Sequence, residues 1–352
     1  MSYLRYSRAK ILLIYLSYAV FTKNFMYYFC TYFDRSYLLK GLTLYFSLCQ
    51  HIESFILYIL CLDDFTFQTI SLLNLANIKA VSLTQLETSD KHLLQVKKNR
   101  SKVEYYFTCS PILPLYLLET FPYINAITYL DSDLFFYSNP NPIFQELENN
   151  SILIMPHHYS RKGVEKLNLY GKYNVGFLTF CNDINAKECL SWWREKCLSW
   201  CFARVENDLF ADQKYLDEWP KRFKGVKILD YKGANIAFWN WEQYKYSKQG
   251  QNLYIDDQKL IFCHFSQFKQ INSSTYIISY GKKYFTPYLI RKYCVKAYVK
   301  QLKLAHKWLA NEKNIHLQPE DLYFQSNYFQ TNYWVELLVS IIFGNIIIDF
   351  NT

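Results

Sequence analysis

No Gly-x-Gly-x-x-Gly and no Gly-x-x-x-x-Gly-Lys-Ser/Thr occurs in this chain of 352 residues, so neither a dinucleotide fingerprint nor a P-loop is supported. No run reaches the roughly 18 apolar residues that a spanning helix needs. The ten cysteines form no Cys-x-x-Cys pair. Cys189, Cys197 and Cys201 instead fall at helical spacing among Trp192, Trp193 and Trp200. That pattern reads as buried core thiols rather than a zinc site or a disulfide frame, and it leads us to expect a reducing, cytoplasmic setting. The apolar run Ile11–Phe21 is preceded by Arg5, Arg8 and Lys10, but no small-residue cleavage site comes after it, and Lys23 breaks the pattern. Residues 1–25 are therefore expected to be an extension or an upstream mis-start outside the fold. Finally, no Asp or Glu occurs between Gly281 and Lys307.

What is present is a core. Hydrophobic residues make up 51% of the chain, with 33 Tyr and 27 Phe, which excludes a disordered polypeptide and allows one large or two medium domains. Tyr27–Tyr32 reads as a first strand, and Ser36 as the cap of a helix from Tyr37 to about Gln50. Ser54–Leu62 and Ile78–Leu83 read as further strands, with a helix over Phe65–Leu75 between them. Strands alternating with helical patterns of 10–15 residues predict βαβ units and a mostly parallel sheet. Residues 84–110 are polar and read as helical, with a basic knot at Lys97-Lys98-Asn99-Arg100. Pro111–Phe121 reads as a separate helix leading into the next strand.

That next strand, Asn125–Leu130, ends directly in Asp131-Ser132-Asp133. Two carboxylates at the end of a buried strand are costly unless they meet a cation or water. At i and i+2 they can share one divalent ion, and hard oxygen ligands with substrate phosphates are the usual site for Mg²⁺ or Mn²⁺. The bland reading is a polar exit from strand to turn. Ligands of open α/β sheets bind outside the carboxyl ends of the strands. Three polar loops point to one such edge: Asp34–Tyr37, Asp63–Asp64 and Asp131–Asp133.

Further along, Ile143–Leu147 reads as a short helix and Ser151–Met155 as a strand followed by His157-His158, a pair more often polar filling than ligands. Phe177–Phe180 reads as a strand opened by Asn174-Val175-Gly176, where glycine marks close approach. Ile184–Arg204 is expected to be a Trp-rich helix and Asp208–Trp219 a second helix carrying Asp212-Gln213. Val226–Leu229 and Ile261–Phe265 are late strands, the last holding His264.

The order of these pieces from about residue 26 to 275 resembles the nucleotide-diphospho-sugar glycosyltransferases of the GT-A fold, most like glycosyltransferase family 8 and related bacterial polysaccharide-type transferases. Five pieces carry the resemblance: Thr31-x-x-Asp34-x-x-Tyr37, Asp131-Ser132-Asp133, Asn174-x-Gly176, Asp212-Gln213, and His264 followed by Lys269. The resemblance implies that Asp131, Asp133 and His264 hold Mn²⁺ or Mg²⁺ on a sugar-nucleotide diphosphate. It implies that Thr31, Asp34 and Tyr37 surround base and ribose, and that Asn174, Asp212 and Gln213 surround the transferred sugar. Lys269 would approach the leaving diphosphate, with Arg100 as a second cation for it. The family's His-x-x-Gly-x-x-Lys-Pro-Trp block is altered here: Gly and Pro-Trp are missing, and the lysine comes one position early. Whatever the family, charge develops on oxygen as a diphosphate leaves, and a metal with a Lys or Arg is the natural stabiliser.

After the expected domain of residues 26–280, residues 281–352 form a basic and apolar appendage. Lys292, Lys296, Lys300, Lys303 and Lys307 recur every three or four residues, opposite Cys294, Tyr298, Leu302, Ala305 and Leu309. With Lys282 and Lys283 this stretch accounts for most of the net charge of +9. A basic amphipathic helix suits an anionic membrane surface through residues 282–307, where lipid-linked acceptors lie; a solvated face of a docked helix is the alternative. No nucleic-acid motif accompanies the charge. Trp334–Ile348 is apolar but too interrupted to span, and would dock on the domain, a partner or the bilayer interface. The expectation is thus a cytoplasmic, metal-dependent glycosyltransferase moving a hexose-type sugar to a saccharide, lipid-linked or protein acceptor with retention, peripheral to the inner face of the membrane. A non-catalytic sugar-nucleotide or membrane-surface binding protein is the alternative. A metal-dependent phosphohydrolase or nucleotidyltransferase is a third reading, which the Asn174, Asp212-Gln213 and His264 series argues against.

Overall fold

The computed structural model describes residues 26–279, 284–324 and 338–349. The expectations on residues 1–25, on Lys282 and Lys283, and on Trp334 lie outside these described residues.

The first strand, β1 (Tyr27–Phe33), leads to helix α1 (Leu38–His51), then β2 (Phe55–Cys61), α2 (Asp64–Leu73) and β3 (Ile78–Ser82). β1, β2 and β3 pair in parallel, as expected for βαβ units. Two short helices, Leu83–Ser89 and Lys91–Val96, precede the long α3 (Lys102–Thr120). Then come β4 (Ala126–Leu130), β5 (Leu134–Phe136), a short helix Asn141–Leu147, β6 (Ile152–Pro156) and β7 (Tyr173–Cys181). Helix α4 (Ile184–Ser199) and β8 (Val226–Ile228) complete a seven-stranded sheet of order β3-β2-β1-β4-β7-β6-β8. The sheet is largely parallel. β7 is the exception, antiparallel to both β4 and β6.

The pleat of this sheet divides two cores. Phe29 and Phe33 of β1 join α1, α2 and the later helix α5 (Lys296–Glu312) on one face. Cys30, Tyr58 and Leu60 join α3 and α4 on the other. The result is an α/β sandwich with helices on both faces. At about 1.5–3 kcal/mol per fully buried large apolar side chain, these two clusters supply most of the driving force for the fold.

Beyond the main sheet, a meander of β9 (Tyr246–Gln249), β10 (Asn252–Ile255) and β11 (Gln258–Lys259) leads to β12 (Phe262–His264). β12 pairs antiparallel with β5, His264 opposite Leu134. β13 (Lys269–Gln270) pairs with β14 (Thr275–Ile277), and β15 (Ile346–Ile348) pairs with β14 in turn. The described end of the apolar C-terminal run therefore docks on the domain.

Several local expectations are corrected. Ser36 does not cap α1; the Asp34 carboxylate accepts from Ser36 N and caps a preceding 3₁₀ turn, Arg35–Tyr37. Residues 102–120 are one helix, not two segments. A Ser101–Glu104 capping box starts it, and it runs through Pro111 and Pro114 because this stretch is buried on both sides of the turn. α4 stops at Ser199 rather than Arg204. Asp208–Trp219 is not one helix: Asp208 and Ala211 have left-handed backbone, and after them come a 3₁₀ turn, Lys214–Glu218, and a single helical turn, Trp219–Arg222.

Candidate functional site

A cavity of about 810 Å³ opens at the carboxyl ends of β1 and β4. Asp131 and Asp133 enter it directly after β4. His264 arrives from β12, because the register of β12 on β5 sets it opposite Leu134, one residue past Asp133. Asn174 and Gly176 come from the start of β7. That strand runs antiparallel to β4, so its beginning lies at the end of β4, and Asp131 N donates to Gly176 O at 2.9 Å.

His264 Nε2 lies 3.1 Å from Asp133 Oδ1 and 3.4 Å from Asp131 Oδ2. The donor atoms of all three residues lie within 4.8 Å of one another. Neighbouring oxygen or nitrogen ligands around an octahedral ion at about 2.1 Å stand about 3 Å apart, so the cluster fits a divalent cation. Two carboxylates with an imidazole suit Mn²⁺ or a similar ion. Asp133 is only 7% exposed, and a buried carboxylate calls for a cation. Burial alone would raise its pKa, but the facing His264 outweighs that and holds it below the usual carboxylate range. Burial likewise opposes the His264 imidazolium, yet Asp133 and then Asp131 lift its pKa.

The rest of the cavity lining combines polar and aromatic side chains. Asp34 accepts from Ser36 N at 3.0 Å and Ser36 Oγ at 2.6 Å, and pairs with Lys102 Nζ at 2.7 Å. Asn174 Oδ1 accepts from Gly176 N at 3.0 Å, which leaves Asn174 Nδ2 facing Gln213 Oε1 and His157 Nε2, each at 3.4 Å. Gln213 Nε2 donates to Tyr170 O at 2.7 Å. His157 stacks on Tyr159 and is pinned through its carbonyl by Trp239 Nε1 and Asn240 Nδ2. Burial pushes its pKa down to about 3, so the imidazole is neutral, and its buried Nδ1 has no hydrogen-bond partner among the described residues.

No protein-family model matches the chain. Two proteins of Bacillus subtilis (strain 168) do. "Uncharacterized protein YfnF" is 33% identical over 251 residues, covering 69% of this chain and 82% of its own length. "Uncharacterized protein YfnD" is 31% identical over 252 residues, covering 71% of this chain and 80% of its own. The chain belongs to the family of these two proteins. Among solved structures, galactosyltransferase LgtC in complex with donor and acceptor sugar analogs is 13% identical and covers 79% of this chain and 95% of its own, with a TM-score of 0.46. Mouse xyloside xylosyltransferase 1, in its apo form, is 15% identical, covers 59% and 86%, and has a TM-score of 0.40. Both likenesses are of outline only.

In this YfnD/YfnF-family chain the cavity gathers Asp34, Tyr37, Asp131, Asp133, Asn174, Gln213 and His264. Four sequence candidates are placed elsewhere. Thr31 is fully buried within β1 and does not line the cavity. Arg100 is turned away: its guanidinium donates to Leu198 O and Asn99 Oδ1 and lies 4.0 Å over the Phe202 ring, tying the start of α3 to the end of α4. Asp212 is 4% exposed and, unlike the next residue Gln213, is not among the residues that line the cavity; the left-handed Ala211 precedes it. Lys269 lines a smaller neighbouring cavity of about 220 Å³, with Tyr37 and Lys40. Asp63, from the second polar loop, is spent on structure: it accepts from Thr66 N, capping α2, and from Arg35 N, fixing the loop after β1.

Sequence reasoning passes over Lys40, Lys102 and Tyr129. Lys40 lies 4.1 Å over the Tyr37 ring, and its charge acts on Asp133. It comes three residues after Tyr37, the spacing that puts two side chains on one helical face. Lys102 stands two residues after Arg100, in the same basic segment. Tyr129 precedes Asp131 by two, the spacing that puts both on one face of a strand.

Proposed function

We propose that this chain is a metal-dependent glycosyltransferase of GT-A type, transferring a hexose-type sugar from a nucleoside diphosphate donor to a saccharide, lipid-linked or protein acceptor. The observation that carries this reading is the convergence of Asp131, Asp133 and His264 beside Lys40 and Lys269, neither of which forms a salt bridge among the described residues. With a divalent ion held by the three residues, the two carboxylates are balanced, and Lys40 and Lys269 remain as uncompensated positive charge. A diphosphate, carrying more than one negative charge, is the ligand that such a site suits.

The bound ion, Mn²⁺ or Mg²⁺, would neutralise charge on the departing diphosphate. Lys40 and Lys269 approach the same charge from the neighbouring cavity. Burial lowers the pKa of both lysines, and a phosphate anion beside them would favour their charged form. Asp34 and Tyr37, with Lys102, form a polar corner suited to base and ribose. Asn174 and Gln213 orient polar groups toward the transferred sugar, where the anomeric carbon gains oxocarbenium character. Retention of configuration is carried over from the family 8 resemblance. The free state of all ten cysteines supports a cytoplasmic setting. Any contact of the exposed Lys292, Lys296, Lys300 and Lys307 with an anionic membrane would be electrostatic, since the apolar face of that helix is buried.

The test is calorimetric binding of a nucleotide-sugar panel with Mn²⁺, to the wild type and to Asp133→Ala. One donor is expected to bind, and its binding is expected to vanish in the variant or with chelator. A folded wild type that binds no donor, with or without metal, overturns the reading and leaves the acidic pair as a structural turn. Binding of a donor without turnover in the presence of any acceptor favours the non-catalytic binding protein.

A further inference from the structure

One cation of the main cavity, Lys166, has no part in the proposed transfer chemistry. A short helix, Lys166–Tyr170, brings Lys166 and Tyr170 to the lining. The chain around it is held by the turn that carries Gln213. Gln213 Nε2 donates to Tyr170 O at 2.7 Å, Lys214 Nζ donates to Asn168 O at 2.9 Å, and Asp217 Oδ1 accepts from Lys172 N at 2.7 Å. Lys214 is itself buried and pairs with Asp208 and Asp217, at 3.3 and 3.2 Å. Lys166 is therefore presented from a braced wall rather than from a loose surface loop.

The Lys166 ammonium donates to Tyr284 Oη at 2.7 Å and lies 4.9 Å from the centre of that ring. From Tyr284 a ladder of rings leads back to the carboxylates. Tyr284 packs on Phe238, Phe238 on Trp239, and Trp239 on His264, with centroids 5.6, 5.0 and 5.3 Å apart. Phe238 and Trp239 both line the cavity.

Charge decides what this part of the cavity suits. Its acidic and basic lining residues are Asp34, Lys102, Asp131, Asp133 and Lys166. Lys102 pairs with Asp34, and His264 faces Asp131 and Asp133. Among the described residues Lys166 has a phenol as partner and no carboxylate. An ammonium has three protons to donate. One goes to Tyr284, and two remain for a ligand together with the full charge. An anionic oxygen accepts such a bond about twice as strongly as a neutral hydroxyl does. The rings of Phe238 and Trp239 add apolar surface for the face of a sugar.

We propose that Lys166 is an anion subsite for the acceptor, so that the acceptor is an acidic saccharide bearing a carboxylate or a phosphate. This rests on the proposed function, which assigns the diphosphate to the metal with Lys40 and Lys269, and base and ribose to the Asp34 corner. The charge that meets Lys166 then belongs to the other substrate.

The experiment is saturation-transfer NMR on the full chain, loaded with Mn²⁺ and the nucleoside diphosphate of whichever donor the calorimetric panel selects. The probes are D-glucose, D-glucuronate and glucose 6-phosphate, whose two acidic arms tell a carboxylate from a phosphate. At least one acidic probe is expected to bind about 10-fold more tightly than glucose, the worth of one charge-assisted hydrogen bond. Lys166→Gln is expected to abolish that preference. Lys300→Gln, which removes the same charge from the exposed face of α5, is expected to keep it. A loaded wild type that binds neither acidic probe more tightly than glucose overturns the inference, and so does an equal loss of preference in both variants. A Lys166→Gln protein that loses affinity for the selected nucleotide sugar also overturns it, because that places Lys166 on the donor. A wild type that binds no nucleotide sugar with Mn²⁺ removes the transferase reading itself, and this inference with it.

Discussion

Asp212 and Lys40 show what single residues contribute here. The Asp212 carboxyl has a pKa of about 7 folded, against 3.8 for an ordinary aspartate. The folded chain therefore binds more protons than the unfolded chain between those values, and stability declines as pH rises from about 4 to 7. Above pH 7 the buried carboxylate costs on the order of 4 kcal/mol. Asp212→Asn removes the ionisation, so in metal-free buffer it is expected to stabilise the protein at pH 8 and much less at pH 5. Urea unfolding at the two pH values measures this; equal shifts at both would show that the carboxyl does not titrate as described. Lys40 makes a separate prediction. Lys40→Gln is expected to weaken nucleoside diphosphate binding about 10-fold and to leave a nucleoside monophosphate nearly unaffected, the loss of roughly one charge-assisted hydrogen bond. Equal weakening of both ligands would place Lys40 away from the diphosphate.

At the scale of elements, two glycines separate packing from chemistry. A Cβ at Gly41 would meet the Phe33 ring at 2.2 Å, where α1 crosses β1. Gly41→Ala is expected to destabilise by about 1–3 kcal/mol in denaturant titration, with Mn²⁺ affinity preserved in the folded protein. A Cβ at Gly176 would lie 2.6 Å from Asn174 Oδ1 and 2.8 Å from His264 Cε1. Gly176→Ala is expected to displace both side chains and lower Mn²⁺ affinity, whatever its effect on stability. If the two variants behave alike, the close approach at Gly176 serves the fold alone. Elements are legible in the sequence where the pattern is local. The βαβ run from β1 to β3 comes from apolar strands and helical spacing between turn signals. The misreadings have local causes as well. Prolines within α3 look like a boundary because they remove backbone donors, yet burial of that stretch outweighs the loss. The turn after Asp208 looks helical because its left-handed residues are Asp and Ala, not glycine.

For the whole molecule, α5 is the element whose place in the fold departs furthest from its sequence pattern. A basic amphipathic helix suits a membrane surface, but here its apolar face is covered. Tyr298, Val299, Leu302, Ala305 and Leu309 are buried in the same core as α1 and β1. Tyr298 stacks, with centroids 4.1 Å apart, on Phe265, the residue immediately after His264. Like charges along the outer face cost little once this inner face is buried. Lys303 also pairs with Asp349 at 2.9 Å. Among the described residues no helix is long and apolar enough to cross a membrane. Tyr298→Ala is expected to cost about 3–5 kcal/mol, read by denaturant midpoint. A loss below about 1 kcal/mol would show that α5 is an appendage rather than part of the core.

The sequence by itself determined the α/β alternation, the strand that ends in Asp131 and Asp133, and the five-piece order that includes His264. These rest on hydrophobic period and on neighbours along the chain, which the covalent order specifies. Only the tertiary structure decided which side chains meet. The antiparallel run of β7 brings Asn174 to the end of β4, and the register of β12 on β5 brings His264 to Asp133. Lys40, not Arg100, stands beside the acidic pair, and Gln213 rather than Asp212 lines the cavity. Such contacts join residues from about 40 to more than about 100 positions apart, and sheet order and register set them, so no local pattern can carry them.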